Sequence, residues 1–320
     1  MRIGRAAGVT DTGRRRLRNE DAFVCEPPLF AVTDGMGGAR AGQLAAELAA
    51  TALEEGASAI DGVDALVHTV EEANRRIWER SVSDPETTGM GAVATVALVR
   101  DGTVAIGHVG DSRAYLIRGG AIEQLTRDHS LVAELVESGV LTPEEAEHHP
   151  QRSAITRALG TEPAVEVDVR TVAGEPGDVF LLCSDGLSSM VPDDEVVARV
   201  EATGRDPERA AEALVAAANA RGGEDNITVV IFELVGDAEA EEEEPPPPED
   251  TQPDLASSDG SPDEPVQDGA EPQPPAVDTV AAPVDTTHHG AGAGGRIAAI
   301  ALLAALLVLA VLALYAGITR

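Results

Sequence analysis

The fold class is decided by the stretch AVATVALVRDGTVAIGHV, residues 92–109. Two apolar runs in it, 92–99 and 103–109, are separated only by Arg-Asp-Gly. So short a link containing Asp-Gly is typical of a β-hairpin, and hairpins join antiparallel strands. The link Arg-Gly-Gly-Ala at residues 118–121 predicts a second hairpin. The sequence therefore predicts antiparallel sheets.

Further apolar segments extend this pattern in both directions. The other predicted strands are 3–10, 22–25, 29–33, 113–118, 165–172, 178–183 and 227–235. The predicted helices are 42–55, 63–80, 129–137, 193–201 and 207–221, with a capping-box sequence at 142–145 for one more short helix. Because the helices are grouped beside the hairpins, we expect one α+β domain, residues 1–236, in which helices cover antiparallel sheets.

The chain is strongly acidic, and its charge is unevenly distributed. It has 320 residues, a net charge of −33 and no lysine. Residues 237–295 hold sixteen acidic residues, no basic residue and eleven of the 20 prolines. Such a segment cannot bury a core, so we expect a disordered linker. The preceding domain still has a net charge of −19, which excludes nucleic acid as an expected partner.

The last segment, residues 296–320, is apolar instead. Residues 297–318 include no charged side chain and as a helix would be roughly 33 Å long, enough to cross a bilayer. A buried core helix is the alternative, but such helices are usually shorter. We expect a C-terminal transmembrane anchor that holds a cytoplasmic domain at the cell (inner) membrane by a single pass. The first ten residues lack the apolar run of a signal peptide.

Four aspartates adjoin the predicted strands. Asp34 follows a predicted strand directly, Asp185 follows a second with one residue between, and Asp111 and Asp225 lie close to the ends of two more. Each alone is typical of a turn, which is how we interpret Asp101. Carboxylates gathered at the edge of one core would repel one another unless cations lay between them. Oxygen ligands without histidine or cysteine at metal spacing favour Mg²⁺ or Mn²⁺ over Zn²⁺.

Five short motifs, four of which contain these aspartates, follow one another in order. They are Arg-Leu-Arg-Asn-Glu-Asp at 16–21, Asp-Gly-Met-Gly-Gly at 34–38, Gly-Asp-Ser-Arg at 110–113, Ser-Asp-Gly at 184–186 and Glu-Asp-Asn-Ile-Thr at 224–228. Over residues 3–235 this series resembles the metal-dependent protein serine/threonine phosphatases, the protein phosphatase 2C or PPM family. The resemblance implies a four-layer sandwich of two antiparallel sheets flanked by helices. With the linker and the single span, the chain is similar to bacterial membrane-anchored members that oppose serine/threonine kinases.

The resemblance also implies a dinuclear metal site. Asp34 would bridge two Mn²⁺ or Mg²⁺ ions, with Asp185 and Asp225 completing the shell of the first and the Gly35 carbonyl contributing to the second. Two such ions lower the pKa of a shared water and give a hydroxide for direct attack on phosphorus.

Three further acidic residues have supporting roles in this interpretation. Glu20 and Asp21 would act through metal-bound water, and Asp111 would hold a third, weaker ion. For Asp111 the alternative is a turn residue that caps local amides.

Arg16 is the candidate for binding the phosphate of the substrate. Its planar guanidinium can bind two phosphate oxygens, and it lies beside the Asn-Glu-Asp motif. Alternatively, Arg14, Arg15, Arg16 and Arg18 form an exposed basic patch that steers phosphorylated substrates without contacting them.

The general acid is left unassigned by the sequence. Eukaryotic relatives carry a histidine where Met36 stands, and methionine cannot donate a proton. His108 is close to Asp111 but is typical of a structural histidine in a strand, and metal-bound water is the other candidate. Ser112 and Arg113 are also interpreted as structural.

Residues 128–160 correspond to the mobile flap that family members place beside the site. Its His148, His149 and Arg152 are interpreted as solvated loop residues rather than substrate contacts.

The expected activity is hydrolysis of phosphoserine and phosphothreonine on proteins, with serine/threonine kinases and their substrates as expected partners. Two alternatives stay open. One is an inactive scaffold that binds phosphoproteins, which a missing ligand would favour, although none is missing. The other is a phosphatase of a partner-switching pathway, whose members usually carry sensory domains that this chain lacks.

Overall fold

The computed structural model describes residues 1–38 and 40–236. Its strands are β1 (Arg2–Asp11), β2 (Asp21–Glu26), β3 (Leu29–Met36), β4 (Gly91–Arg100), β5 (Thr103–Val109), β6 (Arg113–Arg118), β7 (Ala121–Gln124), β8 (Asp168–Ala173), β9 (Val179–Cys183) and β10 (Ile227–Val235). Its helices are α1 (Ala41–Ala57), α2 (Val63–Ser83), α3 (Leu131–Glu137), α4 (Pro143–Glu147), α5 (Asp185–Ser188), α6 (Asp193–Ala202) and α7 (Pro207–Ala220), with a 3₁₀ turn at Pro85–Thr87.

Both predicted hairpins are present, and their turns explain the residues found there. Asp101 and Gly102 link β4 to β5 with φ values of 50° and 74°. Gly119 and Gly120 link β6 to β7 with φ values of 57° and 79°. Positive φ at both central residues is the requirement of a type I′ turn, whose twist matches that of paired antiparallel strands. The local sequence therefore sets the sheet type.

The strands form two five-stranded antiparallel sheets. The first has the order β1-β10-β9-β6-β7 and the second the order β2-β3-β4-β5-β8. The long strand β4 is buried from Gly91 to Val99, because its sheet is covered on both faces.

Three apolar clusters separate four layers. Helices α1 and α2 pack on the second sheet through one cluster, and helices α5 to α7 pack on the first sheet through another. Between the sheets Phe232 stacks on Phe30, with ring centroids 4.1 Å apart, and on Phe180, at 5.2 Å. This confirms the expected sandwich of two antiparallel sheets flanked by helices.

Several boundaries differ from those predicted. Strand β3 continues to Met36 instead of ending at Thr33, and β8 begins at Asp168 instead of residue 165. Strand β7 and the short helix α5 were not predicted as elements. Helix α3 begins at Leu131 because the Ser130 hydroxyl caps it by accepting a hydrogen bond from the Ala133 amide. The predicted capping box of α4 is confirmed.

None of the helices within residues 1–38 and 40–236 combines the length and the hydrophobicity needed to cross a bilayer. The predicted linker, residues 237–295, and the predicted anchor, residues 296–320, lie outside the described residues. Both stay predictions.

Candidate active site

A cavity of about 530 Å³ lies where strands of both sheets end. Seven of the eight residues predicted to form the site line it: Arg16, Glu20, Asp34, Gly35, Asp111, Asp185 and Asp225. The eighth, Asp21, is buried beside Asp34 rather than in the lining. Residues drawn from five motifs spread over two hundred positions thus share one cavity.

Asp34 is held by strands on both sides. It is paired with Asp21 of β2 and with Val93 of β4, so it lies within the sheet rather than in the turn after it. The cavity gives its carboxylate partial access to solvent, although protein surrounds it. This ladder fixes the position of the carboxylate more firmly than a loop would.

Asp21 is fixed by two hydroxyls from the other sheet. Its Oδ2 accepts hydrogen bonds from Ser184 Oγ at 2.8 Å and Thr228 Oγ1 at 2.6 Å, whereas its Oδ1 has no partner among the described residues. Burial raises the pKa of Asp21 to about 6. Neither hydroxyl was predicted to belong to the site, although both lie inside the motifs Ser-Asp-Gly and Glu-Asp-Asn-Ile-Thr.

Asp185 and Asp225 approach from the first sheet. Asp185 begins α5 with one residue between it and the end of β9, and its Oδ1 has no partner among the described residues. Burial raises the pKa of Asp185 to about 8, and the carboxylates of Asp111 and Asp225 add to that effect. Asp225 lies just before β10, where its Oδ1 accepts a hydrogen bond from the Asn226 amide at 2.8 Å.

The carboxylates of the cavity disfavour one another's ionisation. Burial, followed by the charges of Asp21, Asp185 and Asp111, raises the pKa of Asp34 well above its usual range. Burial likewise raises the pKa of Asp111 to about 6, with Asp128 adding to the effect. Like charges at such close range ionise together only when a cation balances them.

These residues fit a hard divalent cation. The donors are carboxylate oxygens and one backbone carbonyl candidate, which Mg²⁺ and Mn²⁺ prefer, and two buried carboxylate oxygens have no partner among the described residues. No three histidine, cysteine, aspartate or glutamate side chains in the described part of the chain form a compact metal cage by themselves. The oxygens instead surround a roomy cavity.

Gly35 permits a close contact at the floor of this cavity. A Cβ at residue 35 would lie 1.9 Å from the Gly42 carbonyl oxygen, and one at residue 42 would lie 2.0 Å from Glu20 Oε2. The Gly35 amide donates a hydrogen bond to the Glu20 carbonyl at 3.1 Å. Only glycine at both positions lets Glu20, β3 and the start of α1 lie this close.

Arg16 lies at the rim of the cavity. Its side chain is half exposed, and its Nη2 donates to Asp225 Oδ2 at 2.5 Å. It is thus paired with one carboxylate of the site and still reaches solvent.

Asn226 holds the loop that carries Arg16, a role that the sequence did not predict. Its Oδ1 accepts a hydrogen bond from the Glu20 amide at 2.8 Å, and its Nδ2 donates to the carbonyls of Thr12 and Arg18, each at 2.9 Å. The only available signal was its place within the motif at 224–228.

The other residues considered for the site differ in whether they line the cavity. Met36 lines the cavity, as do Ser153 and Ile155, whereas His148, His149 and Arg152 are not among the lining residues.

His108 is buried away from the cavity lining. Its Nε2 donates to the Arg127 carbonyl at 3.0 Å, and its Nδ1 pairs with the Thr95 hydroxyl at 2.9 Å. Burial lowers the pKa of His108 to about 4. Arg113 forms an ion pair with Asp128. These contacts agree with the structural interpretation of both residues.

The family follows from comparison with known proteins. The family model for protein phosphatase 2C matches residues 16–135 and 150–227. The chain belongs to the protein phosphatase 2C family. With this, the resemblance to the family and the expected enzyme class, a phosphoprotein phosphatase, are confirmed.

Relatives in this family are similar over the domain. A Listeria monocytogenes serine/threonine phosphatase, stp, is 40% identical over 236 residues, which is 70% of this chain and 93% of that protein. Mycobacterium tuberculosis PstP is 39% identical over 239 residues, 72% of this chain and 45% of that protein.

Solved structures of this family share the fold. The structure of Mycobacterium tuberculosis PstP matches with a TM-score of 0.69 and 37% identity, covering 73% of this chain and all of that one. A PstP catalytic domain in complex with two manganese ions matches with a TM-score of 0.67 and 35% identity, covering 73% of this chain and 99% of that one.

Proposed function

We propose that this protein phosphatase 2C member removes phosphate from phosphoserine and phosphothreonine of proteins at the cytoplasmic face of the cell membrane, with serine/threonine kinases and their substrates as its targets. The observation that carries the catalytic part is one cavity lined by seven predicted site residues. Apart from Asp225, their carboxylates have no ion pair among the described residues.

Two Mn²⁺ or Mg²⁺ ions are the proposed cofactors. Asp34, Asp185, Asp225 and the Gly35 carbonyl would hold them, with Asp111 as the candidate for a third. When bound, such ions supply a nucleophilic hydroxide at neutral pH. The manganese complex of the related PstP domain supports this assignment.

The protein's own residues bind and orient the phosphate. Arg16 lies at the rim with one side of its guanidinium on Asp225, and its exposed side can donate to phosphate oxygens as negative charge spreads over them. Asn226 keeps the Arg16 loop in place, and Ser184 with Thr228 keeps Asp21 in place.

The leaving seryl or threonyl oxygen needs a proton. None of the described residues that line the cavity is a histidine, Met36 carries no acidic proton, and His108 uses both ring nitrogens elsewhere. We therefore assign the proton to solvent within the open cavity.

The membrane location is supported by the uncharged segment 297–318 and the acidic linker before it. The test compares the full chain with a chain that ends at residue 236 after cell fractionation. The full chain should sediment with membranes and the short one should not; equal distribution would refute the anchor.

The activity is tested with purified full-length protein in detergent. Phosphate release from phosphothreonine and phosphoserine peptides should require added Mn²⁺, and an Asp34→Asn variant should release almost none. A scaffold without activity would bind the peptides and release no phosphate.

A further inference from the structure

The loop before β2 concentrates positive charge in a strongly acidic domain. Most arginines of this domain form ion pairs, as Arg113 does with Asp128 and Arg118 with Asp178. Arg15 and Arg18 are exposed, and neither forms an ion pair with any residue that the structure describes. Among the described residues, their charge is therefore left without a balancing carboxylate.

These two arginines face the proposed reaction site. Both line the same cavity as Asp34 and Asp225, with Arg16 between them in sequence. Arg16 already has Asp225 as partner, so Arg15 and Arg18 flank the phosphate-binding position without being part of it.

The backbone of this loop is fixed before any substrate arrives. The amides of Arg14 and Arg15 donate to the Gly223 carbonyl at 2.7 and 3.2 Å, and the Arg18 carbonyl accepts from Asn226. At Gly13, φ is 79° and a Cβ would lie 2.1 Å from the Asp225 carbonyl oxygen, so the loop lies directly on the segment that carries Asp225. A fixed backbone lowers the ordering cost of binding.

An exposed apolar side chain lies between the two arginines. Leu17 is 99% exposed and is also part of the cavity lining. Alone it would need no explanation, since single exposed apolar residues are common. It lies at the mouth of the cavity between two arginines that have no ion pair among the described residues, and it gives this surface a mixed apolar and cationic character.

We propose that Arg15, Leu17 and Arg18, here called the mouth surface, select the substrate by contacting the residues next to its phosphorylated residue. The substrate class is a phosphopeptide with an anionic group within about three residues of the scissile phosphate and an apolar side chain beside it. The anionic group can be either a carboxylate or a second phosphate. The inference rests on the proposed phosphatase activity and narrows its substrates.

The experiment compares four phosphothreonine peptides with the full-length protein in Mn²⁺. One has two glutamates next to the phosphothreonine, and a second of identical composition has them at least six residues away. A third replaces the near glutamates by one phosphoserine, and a fourth replaces them by arginines. We expect kcat/KM for the first to exceed that for the second by about threefold to tenfold, the range for two exposed ion pairs. The kcat/KM for the third peptide should match or exceed that for the first, and the kcat/KM for the fourth should be the lowest.

Variants assign the effect to the mouth surface. In Arg15→Ala/Arg18→Ala the preference for near over far glutamates should disappear. Arg100→Ala removes an exposed arginine at the far end of β4, and this variant should retain the preference for near glutamates. Leu17→Ser should lower kcat/KM for a peptide with leucine beside the phosphothreonine more than for one with serine there.

Each outcome decides between the explanations. Equal kcat/KM for near and far glutamates in the wild type would mean that charge acts only by long-range steering and would overturn the proposal. The same follows if the double variant keeps the preference. If the wild-type protein hydrolysed none of the peptides, the proposed phosphatase function would be overturned as well.

Discussion

Asp111 and Arg113 are two residues apart on the chain but belong to two different clusters of charged side chains. Arg113 pairs with Asp128 through two nitrogens, at 3.0 and 2.8 Å, and next to them Asp168 pairs with both Arg157 and His129. In this cluster, here called the paired cluster, each carboxylate has a cation from the chain itself.

The cavity cluster, formed by Asp21, Asp34, Asp111, Asp185 and Asp225, is balanced differently. Among its carboxylates only Asp225 has an ion pair within the described residues, and that pair is with Arg16 at the rim. The pKa values of Asp34 and Asp185 are raised because burial and the neighbouring carboxylates outweigh the effect of Arg16, which lowers the pKa of Asp185. The comparison teaches that a cluster of partly buried carboxylates does not by itself mark a functional site; the absence of a balancing charge among the described residues does.

The largest expected effect is the loss of activity when a carboxylate of the cavity cluster is replaced. Asp34→Asn and Asp185→Asn should each lower kcat/KM by at least about 10³-fold, because a divalent ion supplies several kcal/mol of transition-state stabilisation. Their folding should be unimpaired, since the substitution removes repulsion. Phosphate release and thermal unfolding measured on the same samples check this; full activity in either variant would contradict it.

Removal of metal should have a similar effect on activity. Chelation should abolish phosphate release, and added Mn²⁺ should restore it and raise the melting temperature, because the ion binds only the folded cavity. In Asp185→Asn the stabilisation by Mn²⁺ should be smaller. An equal rise in both proteins would place the ion elsewhere.

The paired cluster should respond through stability instead. Arg113→Met leaves the partly buried Asp128 without its partner and should destabilise the domain by about 2 to 4 kcal/mol. Activity per folded molecule should fall far less than in Asp34→Asn. Urea unfolding measures the loss, and Arg113→Met/Asp128→Leu should recover part of it; a double variant less stable than the single one would argue against this pairing.

A smaller loss of activity is expected from residues that hold the cavity in shape. Asn226→Ala removes three hydrogen bonds to the loop of Arg16 and should lower kcat/KM by about tenfold to a hundredfold, the usual effect of lost outer-shell support. Asn219→Ala, which removes one hydrogen bond to Asp11 instead of three to this loop, is the control. If both variants kept wild-type kinetics, the loop would not depend on this amide.

These supporting residues also mark the limit of prediction from sequence. The hairpins were predictable because Asp-Gly and Gly-Gly set the turn locally, and the motifs led to the carboxylates. The pair of Arg16 with Asp225 joins residues 209 positions apart, and the Ser184 and Thr228 hydroxyls reach Asp21 from the other sheet. Such contacts depend on how two sheets pack, which no local pattern contains. Strand β3 passes Thr33 because β2 and β4 pair with it on both sides, although its apolar run has ended.

The remaining prediction concerns the pH dependence of stability and not activity. His108 has a folded pKa of about 4, below the unfolded value, so the unfolded chain binds the extra proton first as pH falls. The domain should therefore lose stability as the pH falls from about 6.5 to 4, by at most about tenfold in the folding equilibrium constant per pH unit from this residue alone. The groups facing it are His129, Asp128, Asp168 and the Arg127 carbonyl, with Thr95 on its other nitrogen. The slope of the unfolding free energy against pH is measured in the wild type and in His108→Gln, and the difference between the two slopes gives the effect of His108. Identical slopes would show that His108 titrates normally.

The central claim is that these carboxylates need cations which the described residues do not provide. Calorimetric titration of the full-length protein with Mn²⁺ tests it most directly. We predict two bound ions per chain in the wild type and a loss of at least one in Asp185→Asn, while Asp128→Asn in the paired cluster keeps both. Absence of Mn²⁺ binding in the wild type, or an equal number of ions in Asp185→Asn, would contradict the account.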